Sequence, residues 1–313
     1  IKPDGSWIFG DVDQAKLALF NNVVGSRCKQ EVNTPAKLEA LAKTVADLIR
    51  TGREQDTDAV VNAGGTALSL DSLRNLGLTG IDTPVRRTAF LNAVKYKGNR
   101  VDTATGEPKT GDADSHNVDG INTLAKLKQI AASYKTILDH VGTGESAAAP
   151  TREDYLNIGV QLPAHGGQHA LQLFNSAIAA QASDSKIDDI GKLNKLALTV
   201  DKLMQVAAVT KVADKYPDQY PEVAIPLEAD ALASLGLQRM TEASVALLLA
   251  KLQTTDDDGS GATRIATLQS MADAAVAAQE KITKYARDNS GTAPVIGDFT
   301  ALGLSWPAST QSP

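Results

Sequence analysis

A six-residue phrase that closes on an apolar residue, glycine and a second apolar residue occurs four times, and it limits what this chain can fold into more than any other feature. It appears as Leu73-Arg74-Asn75-Leu76-Gly77-Leu78, then as Tyr155-Leu156-Asn157-Ile158-Gly159-Val160. It returns as Leu232-Ala233-Ser234-Leu235-Gly236-Leu237 and Phe299-Thr300-Ala301-Leu302-Gly303-Leu304. Such a phrase ends a short helix: glycine takes the left-handed conformation that a side chain resists, and the apolar residue after it folds back onto the last turn. Gly77, Gly159, Gly236 and Gly303 are therefore expected to be structural repeat glycines, spaced 82, 77 and 67 residues apart. A chain punctuated in this way is an array of similar helical units.

Two further elements recur with the phrase. Leu19-Phe20-Asn21, Phe90-Leu91-Asn92 and Leu173-Phe174-Asn175 mark one helix, here called C, with a looser copy at Leu248-Leu249-Ala250. In the first copy Leu17, Phe20 and Val24 fall at helical spacing. A longer helix, A, carries a 3-4-3 apolar stripe at Leu38, Leu41, Val45 and Leu48. The stripe recurs at Leu127, Ile130, Tyr134 and Ile137, at Leu193, Leu196, Val200 and Leu203, and more weakly from Leu268 through Met271, Ala275 and Ala278 to Ile282. Thr34-Pro35 opens the first copy, a capping residue followed by proline in the first turn, where its missing N–H does no harm. The glycine phrase lies on a short helix B with Asp71, Asp154, Asp230 or Asp298 near its start.

Each amphipathic helix alone is marginal in water, and three together bury their stripes against one another. The expected fold is thus all-α, a tandem array of three-helix bundles in the order C, A, B. The boundaries that leave no helix unassigned are residues 1–80, 81–163, 164–238 and 239–313. Aromatic residues make up only 4% of the chain, which favours helices packed through small side chains.

The net charge of −6 is spread over both signs and leaves no basic stripe for phosphates, so nucleic acid is not an expected partner. Apolar runs fall short of the roughly 20 residues that span a bilayer, so membrane insertion is not expected. Cys28 is the single cysteine, which excludes an intrachain disulfide. The chain begins at Ile1 and has the look of a processed chain or a piece of a longer protein.

Candidate chemistry is sparse. Asp112, Asp114 and Asp119 stand in an oxygen-rich loop that could hold Ca²⁺, which seeks six to eight oxygen ligands, but the EF-hand glycine and final glutamate are out of place. A solvated loop ending in a helix cap is the alternative. Asp256-Asp257-Asp258-Gly259 has the composition of an acidic linker. His165 and His169 have chelating spacing, but the intervening Gly166-Gly167 weakens a helix there, and exposed residues at a helix start are the alternative. No Gly-x-Ser-x-Gly elbow or phosphate-binding glycine loop occurs. No catalytic residues are expected, and no cofactor apart from the calcium alternative. Tyr216, Tyr220 and the prolines through Pro226 form a long connection suited to a binding surface, and Trp7 and Trp306 are suited to sealing module junctions.

The whole cycle resembles tandem helical repeats of very large bacterial surface adhesins, and more distantly the three-helix GA and FIVAR-type modules of Gram-positive surface proteins. It is carried by the stripe helix, the polar loop, the phrase Pro150-Thr151-Arg152-Glu153-Asp154-Tyr155-Leu156-Asn157-Ile158-Gly159-Val160 and the helix with Leu173-Phe174-Asn175. The resemblance implies an extracellular or cell-surface, non-catalytic stalk segment. Its partners would be neighbouring repeats of the same chain, other copies of itself, or a host protein. The alternatives are a subunit of an extracellular filament or sheath, which assembles as concentration rises, and a host- or matrix-protein-binding helical module.

Overall fold

The computed structural model describes residues 14–53, 68–98, 120–144, 148–208, 227–256 and 259–304. Twelve α-helices make up the regular structure of these residues, with no β-strand among them. The first six are α1 (Gln14–Gly25), α2 (Pro35–Arg53), α3 (Leu70–Asn75), α4 (Pro84–Gly98), α5 (Leu124–Asp139) and α6 (Arg152–Ile158). The second six are α7 (Gly167–Ala179), α8 (Ile190–Ala208), α9 (Ala229–Ser234), α10 (Glu242–Leu252), α11 (Ile265–Asp288) and α12 (Ile296–Ala301). Taken in threes they follow the order C, A, B. Short 3-10 turns at Lys29–Glu31, Asp184–Lys186 and Ser260–Ala262 join helix C to helix A in the first, third and fourth cycles.

Two of the long helices, α2 and α5, start at a threonine cap, whereas Arg264 before α11 offers no side-chain cap. Thr34 Oγ1 accepts from Lys37 N at 3.3 Å with Pro35 in the first turn of α2, and Thr123 Oγ1 accepts from Lys126 N at 3.3 Å at α5. Their stripes are buried: Leu41, Val45 and Leu48 in α2, all four stripe residues in α5 and α8, and Leu268, Ala275 and Ala278 in α11. Helix α1 differs from its expected stripe. Leu19 and Val23 are fully buried, whereas Leu17, Phe20 and Val24 are only half-buried. The reason is that α1 lies against both α2 and α5, so its buried line runs between two neighbours.

Packing divides the chain into two compact units. Among the described residues the first unit holds α1 to α6, residues 183–187 with the 3-10 turn, and the chain up to Leu193 in the first turn of α8. The second holds α7, the rest of α8, and α9 to α12. These units do not have the boundaries of the sequence cycle, because helices of successive cycles pack on one another. In the first unit α4 packs on α2 of the cycle before it as well as on α5 and α6 of its own. Gly98 of α4 meets Gly52 of α2 so closely that a Cβ on Gly98 would sit 2.4 Å from Gly52 O, so a side chain here would force the helices apart. In the second unit α11 is the centre, against α7, α10, α12 and the 260–262 turn, through the small residues Ala272, Ala275 and Ala278.

Hydrogen bonds tie three of the four helices C, α1, α4 and α7, to the start of the next cycle's helix A. Asn22 Oδ1 accepts from Leu124 N at 2.9 Å, and Asn92 Nδ2 donates to Asp188 O at 3.1 Å. Ser176 Oγ accepts from Ile265 N at 2.9 Å in a buried position. These three residues each stand two beyond a phenylalanine, Phe20, Phe90 and Phe174. The structural register of helix C is therefore set by the phenylalanine, one residue off the asparagine alignment in the first and third cycles. In the first unit Tyr134 adds a link of the same kind, its buried hydroxyl donating to Ile187 O at 3.1 Å.

Candidate functional site

The recurring structural centre is the closure of helix B. Gly77, Gly159, Gly236 and Gly303 have φ of 79°, 94°, 107° and 81°, all in the left-handed region. The glycine N–H donates to Arg74 O, Leu156 O, Ala233 O or Thr300 O at 2.9 to 3.2 Å. The next residue reaches further back: Leu78 to Leu73 O, Val160 to Tyr155 O, Leu237 to Leu232 O and Leu304 to Phe299 O, at 3.0 to 3.3 Å. This paired closure is the Schellman arrangement, and it satisfies carbonyls that a helix end otherwise leaves open. Its apolar clasp is buried in three copies, where Leu73 and Leu78, Tyr155 and Val160, and Leu232 and Leu237 are at most 3% exposed.

The helix starts are less uniform. Ser69 Oγ accepts from Ser72 N at 3.0 Å, and Thr151 and Asp154 bond reciprocally. Asp298 accepts from Val295 N at 2.7 Å, whereas Glu228 offers no side-chain cap to α9. Asp71, Asp154, Asp230 and Asp298 all lie inside the first turn, where a carboxylate suits the helix dipole.

A second device sits on each closure and has no common sequence signature. A long polar side chain from the end of helix C donates to a carbonyl just before the glycine. Arg27 Nη2 donates to Asn75 O, Lys97 Nζ to Leu156 O at 3.2 Å, Gln181 Nε2 to Ser234 O at 3.0 Å and Lys251 Nζ to Thr300 O at 2.9 Å. The clearance around the glycines follows from this seating. A Cβ on Gly159 would lie 2.4 Å from the Tyr96 ring, one on Gly236 2.8 Å from Ala180 Cβ and one on Gly303 2.7 Å from Ala250 O, while Gly77 has nothing nearer than 3.6 Å among the described residues. Sequence reasoning missed the four donors because arginine, lysine and glutamine share only length and an N–H group. The chemistry of the site is spent internally, on backbone carbonyls.

The other candidates scatter. Asp112, Asp114 and Asp119 lie outside the described residues, as do Trp7, Trp306, Tyr216 and Tyr220. Among the described residues no three His, Cys, Asp or Glu side chains are grouped so as to hold a metal ion, and no helix is long and apolar enough to cross a membrane. His165 and His169 do not share a helix face. His165 precedes α7, and its N–H, the Ala164 N–H and its Nδ1 all meet Asp201 Oδ1 at 2.8 to 3.0 Å, while His169 Nδ1 faces Gln172 Oε1 at 3.3 Å. Burial opposes the charge on Asp201, but the hydrogen bonds from His165 and Gln205 outweigh it and hold the carboxyl below its usual range. In the first unit Arg86 is set among Asp139 at 2.6 Å and Asp82 and Asp184 at 3.7 Å. The same balance, burial overcome by hydrogen bonds from Lys135 and Arg86, depresses Asp139. Cys28 is exposed, with its N–H bonded to Glu31 Oε2 at 3.1 Å. An open groove of about 630 Å³ between α2 and α3 is lined by charges of both signs, among them Lys37, Lys43, Glu31 and Asp47.

A scan of protein-family models finds no match to this chain, and searches of curated proteins and of solved structures likewise return none.

Proposed function

We propose that the chain is a non-catalytic, repetitive segment of an extracellular surface protein, a stalk that extends an adhesive portion away from the cell. In this reading the four C-A-B cycles are tandem three-helix repeats related to those of large bacterial adhesins, and their first partners are neighbouring repeats. The observation that supports it is the fourfold recurrence of one mechanical joint: a short helix closed by a left-handed glycine and held by a donor from the end of helix C. Repetition of a joint, with its polar groups turned onto backbone carbonyls, is what a spacer needs and what a reaction centre does not.

The test is location. Antibodies against the purified chain label intact producing cells, and protease added outside removes the label; labelling that requires permeabilised cells overturns the reading. A filament subunit is the alternative if the chain is already assembled at low micromolar concentration. Retention of a soluble partner from serum or matrix extract would favour the host-binding module instead.

A further inference from the structure

The net charge of −6 hides an uneven distribution. Among the described residues of the first unit, Lys and Arg outnumber Asp and Glu by 18 to 11, whereas in the second unit they stand at 8 to 9. The carboxylates that make the whole chain acidic belong largely to residues outside the described set. The described part of the first unit is therefore basic, and five of its cations are brought together by segments far apart in the chain.

The groove between α2 and α3 is lined by Arg27, Lys37 and Lys43 together with Glu31 and Asp47. Both carboxylates already have cationic partners: Glu31 meets Arg27 at 2.9 Å, and Asp47 meets Arg50 at 3.0 Å. The two lysines have no such partner among the described residues. Lys37 Nζ donates to neutral oxygens, Gln30 O at 2.7 Å and Asn33 Oδ1 at 3.0 Å, and Lys43 makes no hydrogen bond or ion pair among the described residues. Glu39, one turn before Lys43, does not line the groove.

Arg27 carries the basic surface out of the groove. Its Nη2 lies 3.6 Å from a Cβ built on Gly77, and Lys128 Nζ of α5 lies 3.9 Å from the same point, so the two cations are within 7.5 Å of each other. Lys128 is exposed and makes no hydrogen bond or ion pair among the described residues. Lys135 follows two turns along the same face of α5, its chain against Gly80, and shares Asp139 with Arg86. Like charges gathered this closely repel one another, and an anion seated among them relieves the repulsion.

We propose that Arg27, Lys37, Lys43, Lys128 and Lys135 form a binding surface for an acidic polysaccharide, a linear glycan that carries carboxylate or sulfate groups on its sugars. Charge spacing favours this partner over a nucleic acid. Lys128 and Lys135 are separated by about 10 Å of helix, and Lys37 and Lys43 by about 9 Å, whereas duplex DNA presents a charge every ~1.7 Å. Glu31, Asp47 and Asp139 stand among these cations and repel so dense a polyanion, while a polymer with well-separated charges can thread past them. No aromatic ring of the described residues lines the groove to stack on a base. Binding through a few exposed cations is weak and sensitive to salt. The proposal does not depend on the stalk reading, so the surface-labelling test and the test below can fail separately.

The experiment is calorimetric titration of the full chain with chondroitin sulfate, compared with dextran, a neutral glycan, and with a duplex DNA at equal concentration of charge. Chondroitin sulfate binds, dextran does not, and affinity for the former falls at least about tenfold between about 50 and 200 mM salt. A variant carrying Lys37→Gln, Lys43→Gln and Lys128→Gln, whose helicity and melting are checked first, binds at least about tenfold more weakly. Arginine at the same three positions keeps the charge and retains binding. Lys284→Gln, an exposed change in the second unit, leaves binding as it was. Absence of chondroitin sulfate binding at about 50 mM salt overturns the proposal. So does a triple glutamine variant that binds as wild type does, a Lys284→Gln chain that loses as much, or duplex DNA bound more tightly than the glycan.

Discussion

Replacing the repeat glycines by alanine, one at a time, separates backbone strain from crowding within a single unit. Gly77 and Gly159 both belong to the first unit and both have positive φ, 79° and 94°. Alanine at either position carries the cost of a left-handed L-residue, about 1–2 kcal/mol. At Gly77 the new methyl has ordinary contact distances, with the Arg27 guanidinium at 3.6 Å and the Lys128 chain at 3.8 Å. At Gly159 it would sit 2.4 Å from Tyr96 Cδ1 and 2.8 Å from Cε1, so the ring must move, and overpacking of this kind adds about 1–3 kcal/mol. Urea or thermal unfolding should therefore rank Gly159→Ala below Gly77→Ala by at least about 1 kcal/mol, or roughly 2–4 °C in midpoint for a unit of this size. Gly77→Asn should recover part of the loss, because asparagine tolerates the left-handed region. Equal losses at the two glycines would refute the argument, since they would mean that seating against helix C contributes nothing.

Three further outcomes follow from the same geometry. Gln181 is buried and its Nε2 donates to both Ala177 O at 2.9 Å and Ser234 O at 3.0 Å, so Gln181→Ala should destabilise the second unit by about 1–2 kcal/mol in chemical denaturation. Ser176→Ala removes the buried acceptor for Ile265 N and should cost about 1–2 kcal/mol, whereas Ser176→Asn, which keeps an acceptor, should cost less in the same assay. The folded-state carboxyls of Asp201 and Asp139 are depressed below the ordinary value of about 3.9, so the stability they contribute is whole above that value and is lost as pH falls through the depressed pKa. Melting midpoints should drop as pH falls below about 4, and Asp201→Asn should lower stability at neutral pH while flattening the acid limb.

The parts of the fold visible in the sequence were those set by local chemistry. Thr34-Pro35 announces the start of α2, and the 3-4-3 stripes name residues that are buried in α5 and α8. Left-handed glycines follow from Leu-Gly-Leu because only one residue type holds that turn without strain. What stayed hidden depends on partners distant in the chain. Periodicity says that α1 has an apolar face but not that two helices share it, which moves the buried line onto Leu19 and Val23. The register of helix C was off by one in two copies because Asn22, Asn92 and Ser176 are matched by the helix A they bond, 89 to 102 residues away, and not by their identity. The four side chains that donate to helix B carbonyls were invisible for a similar reason: any long N–H-bearing side chain at the end of helix C suffices. Overlap of successive cycles, with α4 on α2 and α7 on α11, likewise has no local signature.

Amide hydrogen exchange at the residue after each repeat glycine tests the repeated joint most directly. The account predicts slow exchange at Leu78, Val160 and Leu237, whose N–H groups bond the carbonyls of Leu73, Tyr155 and Leu232 beneath buried clasps. Leu304 makes the same bond to Phe299 O from an exposed position, so it should exchange faster in dilute solution. Loop-like exchange at Leu78, Val160 or Leu237 would contradict the claim that one joint is built repeatedly along this chain.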